Sequence, residues 1–508
     1  MSAAPQRPVP PVEVTAPAED ATERLHAPHV AVDRAFLQKL AATCEVRDDA
    51  ESLVAASRDW WPISLRWALE GRVPSRPAAV ALPRSTDEVS AVLQLCDAAR
   101  VPVTPAGGRS GVCGGAVPVF GGVALDMRGL DGIVAADESS GLVDVRAGTY
   151  GPDLEAALRR EHGMTLGHWP QSFELSTVGG WVACRAAGQY STRYGKIEDI
   201  VAGLEVVLAG GRVVRTGGLA GAGPRSSTGP DLSQLFLGGE GTLGVVTTAR
   251  LRAHPLPAAE RRAVWLFDSF AAGIEALRRT LRRGGTPAVL RLYDVEESKR
   301  NFEVDEGHVL IAVDEGDPHV IDAAMRVVEE ECTIAGASPL DVGIAEHWLD
   351  RRNDVSILET VTRMGVVADT VEIAAPWSQL SGLYDDAVSG LRALDGVVAA
   401  SAHESHAYLD GACLYFTFAG LGPDPDDLAW AENFYGSAWD AIMSATRAHG
   451  GSISHHHGIG LVRARHLPDA LGEGFAVLEA LKRALDPNGI LNPGKLGLAS
   501  PFGSVDWP

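Results

Sequence analysis

The chain has 508 residues, 46% of them hydrophobic, and a formal net charge of −22. At about 150 residues per domain that length suggests roughly three domain-sized units, and the acidic balance excludes nucleic acid and an anionic membrane as bulk partners. Six scattered cysteines (Cys44, Cys96, Cys113, Cys184, Cys332 and Cys413) form no C-x-x-C pair, which fits reduced thiols in a cytoplasmic protein and not a disulfide framework.

Residues 1–30 are rich in Pro and Ala, lack a basic n-region and an apolar h-region, and are expected to form a disordered tail. Residues 31–77, with "DRAFLQKLAATCEV" and "DWWPISLRWALEG", predict an N-terminal helical region. From residue 78 to 257 a capping box, Ser85-Thr86-Asp87-Glu88, opens a helix with Val89, Val92, Leu93 and Cys96 on one face. Strand-like runs follow, including the hairpin "GLEVVLAGGRVVRTG" with its Gly210-Gly211 turn. This reads as α+β, without regular βαβ alternation. A second α+β unit spans 258–450, with helices expected at 268–283, 318–336 and 379–394. The segment 451–498 carries three adjacent histidines, a helix near 473–485 and "LDPNGILNPGKL". No run of 18 apolar residues exists to span a membrane.

The loop "PAGGRSGVCGG" (105–115) gives successive backbone N–H groups room to converge on one concavity, which suits a pyrophosphate. "GEGTLG" (239–244) matches G-x-G-x-x-G, but "VVTTARLRA" after it reads as a strand, so no helix N-terminus follows to make a Rossmann fingerprint. In "STVGGWVACRAAG", Gly179, Gly180 and small neighbours allow close backbone approach to something flat, and Ser176 and Thr177 offer hydroxyls. Arg291, inside the apolar "PAVLRLYD", is either exposed at a rim or paired with an anion. Tyr415 in "CLYFTF" reads by itself as a core tyrosine. If His455, His456 and His457 lie on a strand, only His455 and His457 share a side; no ligand set surrounds them, and no metal is expected.

Together "PAGGRSGVCGG", "STVGGW…GKIEDIV", "GGEGTLGVVT" and "LDPNGILNPGKL" resemble the vanillyl-alcohol-oxidase/PCMH flavoprotein family over residues 55–498. The resemblance implies a two-part PCMH-type FAD-binding domain (78–257), an α+β cap or substrate domain (258–450) and a C-terminal segment (451–498) that completes the FAD site. Within the family, "GHWPQSFELSTVGGW", "LRLYD", "VADTVEIAAPW", "SHAYLDGACLYFTF" and "SHHHGIG" resemble the alkyldihydroxyacetonephosphate synthases. These enzymes make ether lipid precursors with no net redox change. The acyl group of acyl-dihydroxyacetone phosphate is exchanged for a fatty alcohol through an adduct at flavin N5.

The resemblance implies that Tyr415 accepts a proton from C1, with a pKa depressed by cationic neighbours, and that His455, His456 and His457 join it as catalytic residues. It implies that Arg291 and His168 bind substrate. Around the cofactor it implies Pro105, Ala106, Gly107, Gly108, Arg109, Ser110, Gly111, Gln171, Ser172, Ser176, Thr177, Gly179, Gly180, Glu240, Gly241 and Val246. With no histidine at 109–115, FAD is expected to be held noncovalently. The expected partner is a small-molecule or lipid substrate, with no nucleic acid, at most peripheral membrane contact and room for a homodimer. The N-terminal region and Trp169-Pro170-Gln171 depart from the family pattern, and no peroxisomal address ends the chain. The alternative within the same fold is oxidation of a 2-hydroxyacid such as D-lactate or glycolate. Two further alternatives are a metal-dependent protein built on the histidines and a flavin-free binding protein.

Overall fold

The computed structural model describes residues 10–221, 223–505 and 507. A four-stranded sheet comes first, in the order Glu45–Arg47, Ala79–Leu82, Val123–Asp126, Val103–Ala106. Its last three strands are parallel, and their short Val/Ala runs are buried, as strands covered on both faces require. The helix Thr86–Ala99 connects two of them; the Ser85 side chain caps it by accepting from Glu88 N–H, and Arg100 ends it in the left-handed region at φ 53°. This part is therefore a βαβ unit, which the sequence reading did not anticipate.

The second sheet is antiparallel: Val213–Arg215, Val201–Val207, Val245–Arg252, Leu142–Arg146, Ile133–Asp137. The strand Val245–Arg252, directly after "GEGTLG", alternates buried and partly exposed residues, as a strand with one core face does. The helix Val178–Cys184 lies against this sheet so closely that a Cβ at Gly179 would stand 2.9 Å from Ala147 Cβ.

A seven-stranded antiparallel sheet forms the cap, in the order Ser338–Pro339, Ala259–Phe267, His308–Gly316, Val289–Tyr293, Val397–Ala407, Gly411–Gly420, Val367–Pro376. The helices Phe270–Arg282, Pro318–Ile334, Leu380–Arg392 and Leu428–Ala448 pack on it. Period-two alternation divides Gly411–Gly420: Leu414, Phe416 and Phe418 enter the core, whereas Tyr415, Thr417 and Ala419 line the cavity described below. The expected two-part domain, built on the first two sheets, and the α+β cap are thus both present. The C-terminal segment returns to the first sheet, where Val103 N–H donates to Ile490 O and Asn492 N–H to Val103 O, each at 2.8 Å.

The N-terminal expectations need correction. Residues 1–9 of the expected tail lie outside the described residues, but residues 10–30 are packed. Val12 and Leu25 are buried, and Thr22–Glu23 pairs in parallel with Arg72–Val73. The helical region also contributes a strand, Glu45–Arg47, to the first sheet. The tryptophan-rich stretch acts as a strap on the cap. Trp61, Trp67 and Trp507 meet edge to face at 5.0–5.4 Å, Trp67 Nε1 donates to Glu432, and Arg66 donates to the carbonyls of Thr362 and Pro425. No helix among the described residues is long and apolar enough to cross a membrane.

Trp67→Ala is expected to lower stability by about 3–5 kcal/mol, as for other buried aromatic truncations, with a fall in the urea midpoint and a native circular-dichroism spectrum at low denaturant. A loss below about 1 kcal/mol would show that the strap is not integral to the fold.

Candidate active site

One cavity of about 1590 Å³ runs from the glycine-rich loops of the FAD-binding domain to the cap. Pro105–Gly111, Gln171, Ser172, Ser176, Thr177, Gly179, Gly180, Glu240, Gly241 and Val246 all line it. Glycine is required where the two loops meet: a Cβ on Gly107 would lie 2.1 Å from Thr177 Oγ1, and one on Gly108 1.8 Å from Leu175 O. Arg109 adopts φ 56°, and its Nη2 is a buried donor without a partner. An elongated cavity with a backbone cradle and an orphaned guanidinium N–H fits a group carrying a pyrophosphate. Several polar residues in this wall are already engaged. The Ser176 hydroxyl donates to Ser172 O at 2.8 Å and accepts from Trp181 Nε1 at 2.7 Å. Thr177 caps the helix behind it through Gly180 N–H, and Glu240 accepts from Ile459 and Gly460 N–H.

At the cap end, Tyr415, His456, His457 and Arg291 line the cavity, whereas His455 and His168 do not. The substrate-binding expectation for His168 is corrected accordingly. Its ring is buried against Trp181 at 4.7 Å with both nitrogens unpartnered, and burial pushes its pKa down to about 3. Tyr415 OH accepts from Thr370 Oγ1 at 3.0 Å and lies 3.4 Å from His457 Nε2. Its ring stacks between His403 (5.1 Å) and His456 (6.0 Å).

The expected depression of the Tyr415 pKa is also corrected. Burial pushes the hydroxyl above its ordinary value, the hydrogen bond from Thr370 does not offset this, and the carboxylates of Glu372 and Asp369 add to it. The histidine cations expected beside it are absent because the rings are themselves neutral, and the Arg291 guanidinium, which favours the tyrosinate, is outweighed by burial. Burial holds His455 and His456 well below 6.5 and His457 at about 4, even though Glu372 favours the charged form of His457.

Three partners escaped the sequence reading. Glu372, fully buried, accepts the backbone N–H groups of His455 (2.9 Å), His456 (3.1 Å) and His457, and pairs with Arg463 at 3.2 Å. Arg291 is neither at a rim nor paired with a carboxylate. Its Nη2 meets His403 Nε2, His403 Nδ1 meets Glu297 at 2.6 Å, and Arg291 Nε donates to Tyr293 OH. Burial opposes the charge on Glu297, but His403, Arg300 and Thr417 outweigh it and hold the carboxyl at about 2. An acid in an apolar strand is the same signal that singled out Arg291, and it would have found Glu372. The third partner is His406. Residues 455–457 are bends and not a strand, so alternation does not apply to the histidines. His455 and His456 approach through their Nδ1 atoms at 2.9 Å, and His406 from Val397–Ala407 joins them.

A two-part nucleotide-binding domain, a seven-stranded cap and an elongated cavity between them define a PCMH-type FAD flavoprotein. The chain matches the FAD binding domain family over residues 77–217 and the C-terminal domain of FAD linked oxidases over 256–496. It belongs to this family of FAD-linked oxidases and is an FAD-dependent enzyme. It is similar to the uncharacterized FAD-linked oxidoreductase YgcU of Escherichia coli K12, with 32% identity covering 83% of this chain and 89% of that one. It is similar to the alkyldihydroxyacetonephosphate synthase of Trypanosoma brucei brucei at 31% identity, over 89% and 77%. It also resembles the glycolate oxidase subunit GlcD of Bacillus subtilis at 28%, over 83% and 89%. A solved alkyldihydroxyacetonephosphate synthase superposes with a TM-score of 0.77 at 26% identity, covering 95% of this chain and 89% of that one.

Asp369, on the cavity wall, accepts from Tyr435 OH (2.6 Å) and Trp439 Nε1 (3.2 Å), and burial raises its pKa to about 7. Folding therefore takes up a proton between the unfolded carboxyl's pKa near 3.8 and about pH 7. This contribution is complete in acid and is lost as pH rises to about 7. Asp369→Asn is expected to gain on the wild type by up to about 1.4 kcal/mol per pH unit over that window. Urea midpoints at pH 5 and pH 7 check this, and parallel pH dependence in both proteins would refute it.

Proposed function

We propose that the chain is an FAD-dependent alkylglycerone-phosphate synthase-like transferase that holds its FAD noncovalently and exchanges the acyl group of acyl-dihydroxyacetone phosphate for a fatty alcohol. The observation that carries this reading is the composition of the cavity's cap end. Four guanidinium groups line it together with apolar Phe302, Ile344, Ile357, Leu358 and Val361; Arg300 is paired with Glu297 at 3.1 Å and Arg351 with Asp354 at 3.3 Å, which leaves Arg291 and Arg352 for an anion. That combination suits a phosphate joined to a hydrocarbon chain. The synthase relatives support the same reading.

Bound FAD supplies the bond-forming chemistry at C1. Arg291, oriented by His403 and Glu297, binds the phosphate. The Tyr415 oxygen takes the C1 proton while its own proton passes to neutral His457 Nε2, so no free tyrosinate is needed. The imidazolium formed has Glu372 3.7 Å from its Nδ1, and that carboxylate stabilises it. The reverse transfer would return the proton from His457 through Tyr415 to C1 once the alcohol oxygen is bonded there, the alcohol's own proton balancing the departed fatty acid carboxylate. The glycolate oxidase relative favours a second reading, in which Arg291 binds a carboxylate and His457 takes the hydroxyl proton of a 2-hydroxyacid.

Anaerobic incubation of the FAD-loaded protein with acyl-dihydroxyacetone phosphate and a fatty alcohol is expected to release fatty acid without lasting flavin bleaching. Bleaching by glycolate or D-lactate with no acid release would replace this reading with the second. Tyr415→Phe is expected to lower turnover by about 10²–10⁴-fold at unchanged FAD content. Near-normal turnover would remove Tyr415 from the proton path.

A further inference from the structure

Behind the cavity wall, three imidazoles converge from two separate parts of the chain. The rings of His406, His455 and His456 have centroids 5.0, 5.1 and 5.1 Å apart, and one nitrogen from each lies within 4.8 Å of the other two. Hydroxyl groups occupy the outward nitrogens. His406 Nδ1 meets Ser191 Oγ at 2.8 Å, His455 Nε2 meets Tyr408 OH at 3.0 Å, and Ser191 Oγ and Tyr408 OH are 3.0 Å apart. If Tyr408 and Ser191 accept these ring protons, His406 Nε2 and His455 Nδ1 are left as lone pairs. The Nδ1 of His456 is 2.9 Å from that of His455. As a purely hydrogen-bonded cluster, the three rings would have one N–H to share among these acceptors.

We infer that His406, His455 and His456 form a site for one borderline divalent transition metal ion, with Ser191 and Tyr408 orienting two of the ligands. Neutral nitrogen ligands without a carboxylate or thiolate select zinc, cobalt or nickel over magnesium or calcium. Nitrogens about 2.0–2.1 Å from a tetrahedral ion stand about 3.4 Å apart, so closing the site requires only small ring shifts. The neighbouring Lys196 ammonium is paired with Glu198 at 3.1 Å and donates to the His455 carbonyl, which offsets its charge. His456 is the ligand on the cavity wall and stacks on Tyr415. The ion would therefore fix one side of the Tyr415 stack.

Metal content tests this independently of turnover, so its outcome does not depend on the proposed reaction. FAD-loaded full-length protein, made without a polyhistidine tag, is dialysed against zinc chloride and then against buffer. Elemental analysis is expected to give about one zinc per chain, falling to background in His406→Gln with the FAD content retained. Ser191→Ala is expected to weaken zinc binding by about 10–100-fold, as for other groups that orient metal-bound histidines. Wild-type protein without stoichiometric zinc would overturn the site, as would undiminished zinc in both His406→Gln and His456→Gln. Should His406→Gln also lose FAD, the Ser191→Ala titration decides: an unchanged affinity overturns the site.

Discussion

The buried carboxylate of Glu372 is the constraint on which the active site depends. A lone charge in such a place would cost several kcal/mol, and the protein offsets it with an unusually complete set of donors. Three consecutive backbone N–H groups and the Ser454 hydroxyl point at it, and Arg463 pairs with it. Arg463 is itself fully buried, lies over the Trp439 ring at 4.8 Å and donates to Gly458 O. Two residues further on, the Glu240 carboxylate repeats the arrangement by accepting from Ile459 and Gly460. The histidine loop is thus tied through its backbone to one acid from the cap and one from the FAD-binding domain. Its imidazoles are thereby left to contact one another, Tyr408 and Tyr415, and the two domains are registered against each other at the point where chemistry is proposed.

Burial makes this an almost charge-neutral proton site facing a wall of guanidinium groups, two of which are paired with acids of the same wall. His455, His456 and His457 are held neutral, and Tyr415 is held protonated. Proton transfer between a neutral tyrosine and a neutral histidine avoids creating a buried tyrosinate, and the resulting imidazolium already has Glu372 beside it. Permanent positive charge is supplied instead by guanidinium groups, whose high pKa survives burial. The chain Glu297–His403–Arg291 orients one of them with two short polar contacts, Arg291 and His403 from adjacent strands and Glu297 from the helix Val295–Phe302.

How much of this could be read from sequence follows from how local each cause is. The glycine-rich loops were legible because close backbone approach is a local demand that only glycine meets, as at Gly107 and Gly108. Most cap elements were legible through their periodicity, and so was the strand after "GEGTLG". His406 was not, because it reaches the other histidines only through a pairing of distant segments. The alternation argument for the three histidines failed because the segment around them forms bends and no strand. The N-terminal tail was misread for a related reason. Pro-rich segments show no periodicity, yet Val12 and Leu25 find prepared pockets against Leu65 and in the tryptophan cluster. The Tyr415 pKa was misjudged because the charge of its neighbours was assumed from residue type, whereas desolvation decides it.

The net charge of −22 sharpens what the cavity must do. An acidic surface does not steer an anionic substrate inward, and at physiological salt its repulsion is screened beyond about 8 Å. Under the proposed function, selectivity for a phosphate or carboxylate therefore arises after entry, where guanidinium groups act at short range. The strap built from Trp61 and Trp67 connects to the cavity wall. Trp61 Nε1 donates to Tyr435 OH, which donates to Asp369 on the cavity wall. A polar line thus runs from the N-terminal region to the cavity wall through otherwise aromatic packing. The segment that departs most from the family pattern is in this way part of the wall against which the substrate is selected.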